Sequence, residues 1–269
     1  MHAVTSVYQS RELLWNLTLR ELRTKYRRSF LGWAWSMLNP LATVAVYGFV
    51  FGVLFEAQAP VGDPSGLDGF AFFLLCALLP WNFFALVNTL GLSAISANSG
   101  LVRRVYFPRE TLVFSNVLHA CVQFAIEMTL LCIVLLAVGS PIIRWLPVVV
   151  LTSVLLAIFA SGFALALSVL AVYFRDLTYL WAIVMQVWFF ATPIVYPPSL
   201  LDEQAPEWAQ KVLEINPMYS FVEVYRRCLY DAGAPGWKTL LGLAVVSFLS
   251  LAAGWAVFRR LGRRLPEEV

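Results

Sequence analysis

Six long apolar runs dominate this chain of 269 residues, and each has at least the roughly 20 residues that an α-helix needs to cross the hydrocarbon of a bilayer. Hydrophobic residues make up 60% of the chain and charged residues only 13%, which excludes a soluble globular domain, because a soluble fold needs more charged surface. The sequence therefore predicts an all-α polytopic membrane protein, a single domain with six transmembrane helices. The six runs cover residues 33–55, 70–97, 111–138, 145–174, 177–196 and 237–258.

Basic residues are distributed unevenly between the segments that join these runs. If the runs cross the membrane in order, fourteen of the nineteen Lys and Arg residues fall on the side of the N-terminus. By the positive-inside rule, both termini are therefore expected in the cytoplasm. Basic residues at the borders of membrane spans are explained by the headgroups of anionic membrane lipids, so nucleic acid is not an expected partner.

The segment before the first run, residues 10–28, has the pattern of an amphipathic helix with Ser10 as its N-cap. Trp15 and Leu19 fall on one face of this helix. A second face carries three arginines, Arg20, Arg23 and Arg27. Anchoring at the cytoplasmic membrane surface explains the pattern, and contact with a cytoplasmic partner is the alternative.

Residues 98–110 join the second run to the third, alternate apolar with basic residues and are interrupted by Pro108. Lipid anchoring would account for their basic side chains. The apolar and aromatic side chains among them instead favour docking into a groove of a protein partner. The candidate residues for such docking are Arg103, Arg104, Val105, Tyr106, Phe107, Arg109 and Glu110.

A segment rich in carboxylates, residues 198–235, follows the fifth run and predicts a hairpin of two amphipathic helices on the outer face. The first helix carries Trp208, and the second is expected to open with Ser220 and Glu223 at the spacing of a capping box. Phe221 and Tyr225 belong to the apolar side of the second helix. The hairpin either covers a path through the membrane or caps the helix bundle.

Polar and aromatic residues inside the runs supply further candidates. His119, Gln123 and Glu127 recur every four positions and form one stripe, which is costly in hydrocarbon unless it faces other helices or water. The stripe predicts either an interhelical hydrogen bond or a role in substrate passage. Gly48 and Gly52 have the spacing that permits a close helix crossing.

Motifs of catalysis are absent from the sequence. It contains no GxxxxGK[ST] phosphate loop, no HExxH zinc motif and no GxSxG nucleophile elbow. Its four cysteines form no CxxC pair. Their spacing therefore indicates neither a disulfide framework nor a metal site. We therefore expect the chain to be no enzyme and to hold no cofactor or metal of its own.

Four motifs together resemble the permease subunit of ABC-2 type polysaccharide exporters, the group that handles O antigens, teichoic acids, capsules and mycobacterial galactan. The resemblance extends over nearly the whole chain. The motifs are YRRSFLGWAW at 26–35 with Asn39-Pro40, LVRRVYFPRE at 101–110, FRDL at 174–177 and INP at 215–217.

The resemblance implies a homodimer of six-helix permeases in the bacterial inner membrane, joined to two separate subunits that bind ATP and Mg. The exported cargo would be a polysaccharide attached to a lipid carrier, for building the cell envelope. It further implies that residues 103–110 form a coupling helix, that residues 200–230 form a periplasmic gate, and that aromatic residues such as Tyr47, Trp181 and Trp188 line the conduit.

Two other functions stay open at this point. One is an ABC-2 exporter of a small molecule or drug. The other is a membrane-embedded transferase that uses His119 and Glu127 as acid and base.

Overall fold

The computed structural model describes residues 11–25, 34–50, 60–104, 107–198, 206, 213 and 215–262. These residues contain no strand, and the all-α class is confirmed. The α-helices in the described part are α1 (Arg11–Lys25), α2 (Ala34–Tyr47), α3 (Phe70–Ser93), α4 (Ser99–Arg104), α5 (Glu110–Ala137), α6 (Leu146–Tyr173), α7 (Leu177–Phe190), α8 (Pro217–Tyr225) and α9 (Trp237–Leu261). Short 3-10 helices precede α4 and α6, and a π-helical turn, Arg226–Tyr230, extends α8.

Four described helices are long and apolar enough to cross a membrane. They are α3, α5, α6 with its preceding 3-10 turn, and α9. Two shorter apolar helices, Leu41–Val50 and Leu177–Phe190, lie within the predicted first and fifth runs. The number of six spans therefore stays a prediction.

The second helix of the outer hairpin, α8, begins earlier in the chain than the sequence predicts. Helix α8 starts at Pro217, and the Oδ1 atom of Asn216 caps it by accepting a hydrogen bond from the backbone N–H of Met218 at 3.0 Å. Proline suits the first helical position because its missing N–H would have no partner there. The predicted start at Ser220 is wrong, since Asn216-Pro217 starts the helix three residues before Ser220.

Helix α6 occupies the centre of the fold and contacts α3, α5, α7, α8 and α9. Its crossing with α9 brings two backbones together: a Cβ added to Gly254 would lie 1.9 Å from the carbonyl oxygen of Gly162. The Ser250 hydroxyl donates to the Phe159 carbonyl at 2.9 Å beside this point. Small residues permit such close packing of helices in a membrane, where interhelical contacts replace lipid contacts.

A second close approach joins α3 to α6, where a Cβ on Gly91 would lie 2.8 Å from the Cα of Ala164. The glycine pair predicted to mark a crossing on the first run behaves differently. A Cβ added to Gly48 would meet no atom of the residues that the structure describes within 4 Å, and Gly52 lies outside those residues. The observed crossings are therefore made by other glycines.

Candidate functional site

The segment of residues 98–110, which we call the coupling segment, lies at the predicted cytoplasmic side between α3 and α5. Arg103 and Arg104 end helix α4 and are exposed. Phe107 is partly buried against the hydrophobic core. Val105 and Tyr106 lie outside the described residues. The segment thus presents charge at its surface and is attached to the bundle by an aromatic ring.

Arg109 joins the end of α9 to this segment, and Tyr173 joins it to the end of α6. The Nη1 atom of Arg109 donates to the Gly262 carbonyl at 2.7 Å, and the Tyr173 hydroxyl donates to the Leu261 carbonyl at 2.9 Å. The last carbonyls of a helix lack partners within it and carry partial negative charge, so a cation there is stabilising. The start of α5, where Glu110 is partly buried, and the ends of α6 and α9 therefore meet at one junction.

The N-terminal helix α1 is also attached to the coupling segment. The Nη2 atom of Arg20 donates to the Asn98 Oδ1 atom at 2.7 Å, and α1 packs against α5. Leu17 and Thr18 are buried, whereas Trp15, predicted on the apolar face, is 60% exposed. The Arg23 side chain and Arg27 lie outside what the structure describes. In the described helix, the contact with the rest of the chain is thus made by residues beside the predicted apolar face.

The polar stripe on α5 faces the interior of the bundle. His119 and Glu127 are each 3% exposed. The Nε2 atom of Gln123 donates to the Oε1 atom of Glu127 at 2.8 Å. One turn before the stripe, the Asn116 side chain donates to the Leu90 carbonyl of α3 at 3.1 Å. Burial among helices removes the cost that these polar groups would have in lipid.

Trp181 and Trp188, two of the aromatic conduit candidates, lie on the inner side of α7. The ring centroid of Trp188 lies 5.2 Å from that of Phe84 on α3 and 5.6 Å from that of Phe163 on α6. The Trp181 ring packs at a tilt against the same Phe163, with centroids 5.9 Å apart. Tyr47 is partly buried against the core. In the described chain, both tryptophans thus hold α7 against its neighbours.

Asn216 connects the start of α8 to the end of α7. Besides capping α8, its Oδ1 atom accepts from the Trp188 indole N–H at 2.7 Å, and its Nδ2 atom donates to the Ala191 carbonyl at 3.0 Å. These bonds fix the start of α8 against the end of α7. The INP motif at 215–217 therefore has a structural role here.

The gate candidates on α8 are core residues. Phe221 is fully buried with its ring centroid 5.6 Å from that of Phe159, and the Tyr225 hydroxyl lies 2.8 Å from the Ser153 hydroxyl of α6. Trp208 lies outside the described residues. The observed contacts of α8 are those of a cap on the bundle, and the covering of a path stays a prediction.

Arg226 is a structural residue that the sequence analysis missed. It follows α8, is 6% exposed, and donates through Nη1 to the Pro193 carbonyl and through Nη2 to the Ile194 carbonyl at 2.7 Å. Its guanidinium carbon lies 3.6 Å from the centroid of the Phe73 ring. Burial lowers the pKa of Arg226 to about 9, which leaves it cationic at neutral pH. Its signal in the sequence was the Arg226-Arg227 pair among apolar residues, since a buried cation must find acceptors.

These features define a multi-pass membrane protein. They are apolar helices of membrane-crossing length, polar side chains buried between them and basic residues at one end. The profile of the ABC-2 type transporter family matches residues 12–230, and the chain belongs to this family. The resemblance of the four motifs is thus confirmed.

Named relatives extend this finding over the whole length. The chain is 32% identical to the O-antigen export system permease protein RfbA of Myxococcus xanthus, across 99% of this chain and 98% of that protein. It is 27% identical to RfbA of Klebsiella pneumoniae, across 95% and 94%. It is also 28% identical to the polysialic acid transport protein KpsM of Escherichia coli, across 90% and 91%.

Proposed function

We propose that this chain is the membrane-spanning subunit of an ATP-driven exporter, which carries a lipid-linked polysaccharide from the cytoplasm across the bacterial inner membrane. The observation that carries the proposal is similarity along the full chain. Relatives named for O-antigen export and polysialic acid transport match 99% and 90% of it. Similarity over the entire length supports transfer of the role of the whole subunit, not of one shared segment.

Energy for transport would come from a separate ATPase subunit, present in two copies, which binds ATP and Mg. The sequence of this chain has no phosphate loop. Arg103 and Arg104 are exposed at the coupling segment and suit a groove on the partner. Movement of this segment would reach α9 through the bond from Arg109 to Gly262.

The working unit would be a homodimer, with both termini of each copy in the cytoplasm. Support comes from α7, which buries none of its 14 residues within the chain. Ile183, Val187 and Phe190 are each more than 60% exposed. In this proposal the second copy faces α7 across the path of the polymer, and lipids cover the rest of the apolar surface.

Deletion of the gene tests the proposed cargo. Lipid-linked glycan should accumulate in the cytoplasm of the deletion strain, and the wild-type gene should restore its appearance at the surface. Accumulation of a small compound with normal surface glycan would replace the proposal with export of small molecules.

The partnership with an ATPase is tested by co-purification. Arg104→Glu should lower recovery of the ATPase subunit several-fold, because it reverses an exposed charge on the coupling segment. Arg144 is exposed at the predicted outer face, so Arg144→Glu is the matched control. It should leave recovery of the ATPase subunit unchanged. ATPase activity of the purified chain alone would contradict the proposal.

A transferase reaction at His119 and Glu127 gains no support from the geometry. Both residues are 3% exposed and lie between helices, so a substrate has no access to them. Gln123 already occupies the Oε1 atom of Glu127 at 2.8 Å.

A further inference from the structure

A cavity of about 260 Å³ lies between the outer ends of α3 and α7 and the outer side of α8. Its walls include Phe73 at the start of α3, Pro193 just after α7, and Tyr219 and Glu223 on α8. Arg226 also lines it. The cavity therefore lies at the predicted outer face of the bundle.

Contacts with neighbouring residues hold part of the wall of this cavity, which we call the outer cavity. Phe73 and Tyr230 pack edge to face with ring centroids 5.5 Å apart. The Tyr230 hydroxyl donates to the Pro60 carbonyl at 2.9 Å, and the Ser65 hydroxyl donates to the Tyr230 carbonyl. A site that is formed before its ligand arrives loses little conformational entropy on binding.

Charges in the outer cavity balance. Two cations, Arg226 and Arg227, lie with two acidic side chains, Glu223 and Asp231, and the Nη1 atom of Arg227 lies 3.3 Å from the Oδ2 atom of Asp231. Desolvation raises the pKa of both acids because loss of water disfavours their negative charge, and an anionic ligand would lose water there in the same way. A phosphate would meet these carboxylates, and a metal cation would meet the arginines, so a neutral ligand fits best.

Hydrogen-bonding groups in the outer cavity suit hydroxyls. A guanidinium has five N–H donors, and acceptors in the described chain, the carbonyls of Phe73, Pro193 and Ile194, use three of those on Arg226. Carboxylates accept hydrogen bonds and arginines donate them, while a hydroxyl does both. Donors and acceptors in one small cavity therefore match a ligand with several hydroxyl groups.

Size and ring content narrow the ligand class further. Pockets for drug-sized ligands measure about 300–1,000 Å³, so the outer cavity has room for one small ring only. The partly buried ring of Tyr219, with Pro60 and Pro198, gives it apolar surface, which suits the C–H face of a sugar.

We infer that the outer cavity binds one neutral pyranose unit of the exported glycan as it leaves the membrane. The inference rests on the proposed function, because it takes the cargo to be a polysaccharide. Glu223 and Asp231 accept bonds from sugar hydroxyls, Arg226 and Arg227 donate to them, and Tyr219 contacts the ring.

Saturation-transfer difference NMR tests the inference on the full-length chain in lipid nanodiscs. The probes are the methyl glycosides of glucose, galactose, mannose and rhamnose. We expect saturation of the ring protons of at least one probe. Glu223→Gln and Asp231→Asn should each weaken its binding about tenfold, since each replaces a charged acceptor by a neutral one. Excess sodium phosphate should not displace it.

Asp68→Asn is the matched control, because Asp68 is an exposed carboxylate on the same face and does not line the outer cavity. It should keep the full signal, and melting curves should show all three variants folded. Any of three results would overturn the inference. They are no signal from any glycoside, equal signal in the wild type and both cavity variants, and displacement of the glycoside by phosphate.

The gene deletion separates this inference from the proposed function. Glycan accumulation in the deletion strain together with no glycoside binding would overturn the outer cavity site and leave the exporter role intact. Glycoside binding with normal surface glycan in the deletion strain would overturn the exporter role instead.

Discussion

Helices α9 and α7 both pack against the central helix α6, but they do so in different ways. Helix α9 buries four residues, Leu243, Ser247, Gly254 and Phe258, all on one face, and at Gly254 its backbone meets that of α6. Helix α7 buries none of its residues and is held by aromatic rings and by Asn216 at its end. The comparison shows a closely packed pair of helices beside a third helix whose outward face is exposed in the part of the chain that the structure describes.

The largest effect is expected where α6 and α9 cross. Gly254→Leu places a side chain where even a Cβ would lie 1.9 Å from the Gly162 carbonyl oxygen. Because the obstacle is backbone, the loss of stability should exceed the about 1–3 kcal/mol of ordinary overpacking. We expect size-exclusion chromatography in detergent to show little monodisperse protein.

Gly242→Leu on the same helix is the control, since a Cβ there meets no atom within 4 Å. Its yield should stay close to that of the wild type. An equal loss of monodisperse protein from both substitutions would mean that neither face of α9 accepts a larger side chain. The distinction between its two faces would then be wrong.

The next largest effect is expected at Arg226, which holds the outer hairpin to α3 and α7. Arg226→Met keeps much of the side-chain length but leaves the carbonyls of Pro193 and Ile194 without their donor. Each lost bond from a charged donor reduces stability by about 1.5–3 kcal/mol. We expect a melting temperature several degrees lower, measured by differential scanning fluorimetry.

Arg227→Met provides the comparison for this variant, because the Arg227 side chain is 49% exposed and exposed ion pairs contribute at most about 1 kcal/mol. Equal melting temperatures for the two variants would mean that the contacts of Arg226 do not hold the outer hairpin to α3 and α7.

A smaller effect is expected at Asn216, the residue that joins α7 to α8. Asn216→Ala removes the cap of α8 and the acceptor of the Trp188 indole, which should lower the free energy of unfolding by about 1–2 kcal/mol. Asn216→Asp keeps both acceptor bonds and loses only the donation to Ala191 and Thr192, so it should melt between Ala and wild type. An Asp variant as unstable as the Ala variant would contradict capping as the main contribution.

The smallest effect is expected on the outward face of α7. Ile183 is 61% exposed, so Ile183→Ala should change stability by no more than about 0.5 kcal/mol. Ile142→Ala, at a position with no exposure, should lose about 2–5 kcal/mol. Thermal melting of the two variants side by side measures the contrast. Similar losses of stability in the two variants would show that another molecule covers Ile183 tightly. The outward face of α7 would then not be exposed.

Several local features could be predicted from the sequence because short stretches of chain decide them. The long apolar runs predict the all-α class, and the INP motif at 215–217 can be seen in the sequence alone. The start of α8 was misassigned, because Asn216-Pro217 and the pair of Ser220 with Glu223 are both acceptable helix starts. Only the contacts of Asn216 with Trp188 and Ala191 select the first.

Close contacts between helices could not be predicted from the same pattern. Gly48 with Gly52 has a favourable spacing, yet a Cβ on Gly48 meets no described residue within 4 Å, whereas Gly254 pairs with Gly162 from a different helix. A crossing needs small residues on two helices at the same depth and facing each other, and the spacing along one helix contains only half of that information.

The sequence by itself determined that this is a helical membrane protein of the ABC-2 type transporter family, because apolar length and local motifs depend on neighbouring residues. The tertiary structure alone decided that Arg109 binds the end of α9, that Arg226 joins three elements, and that an outer cavity with balanced charge forms between them. Such features join residues that are far apart in the chain, and their partners are chosen only when the helices pack.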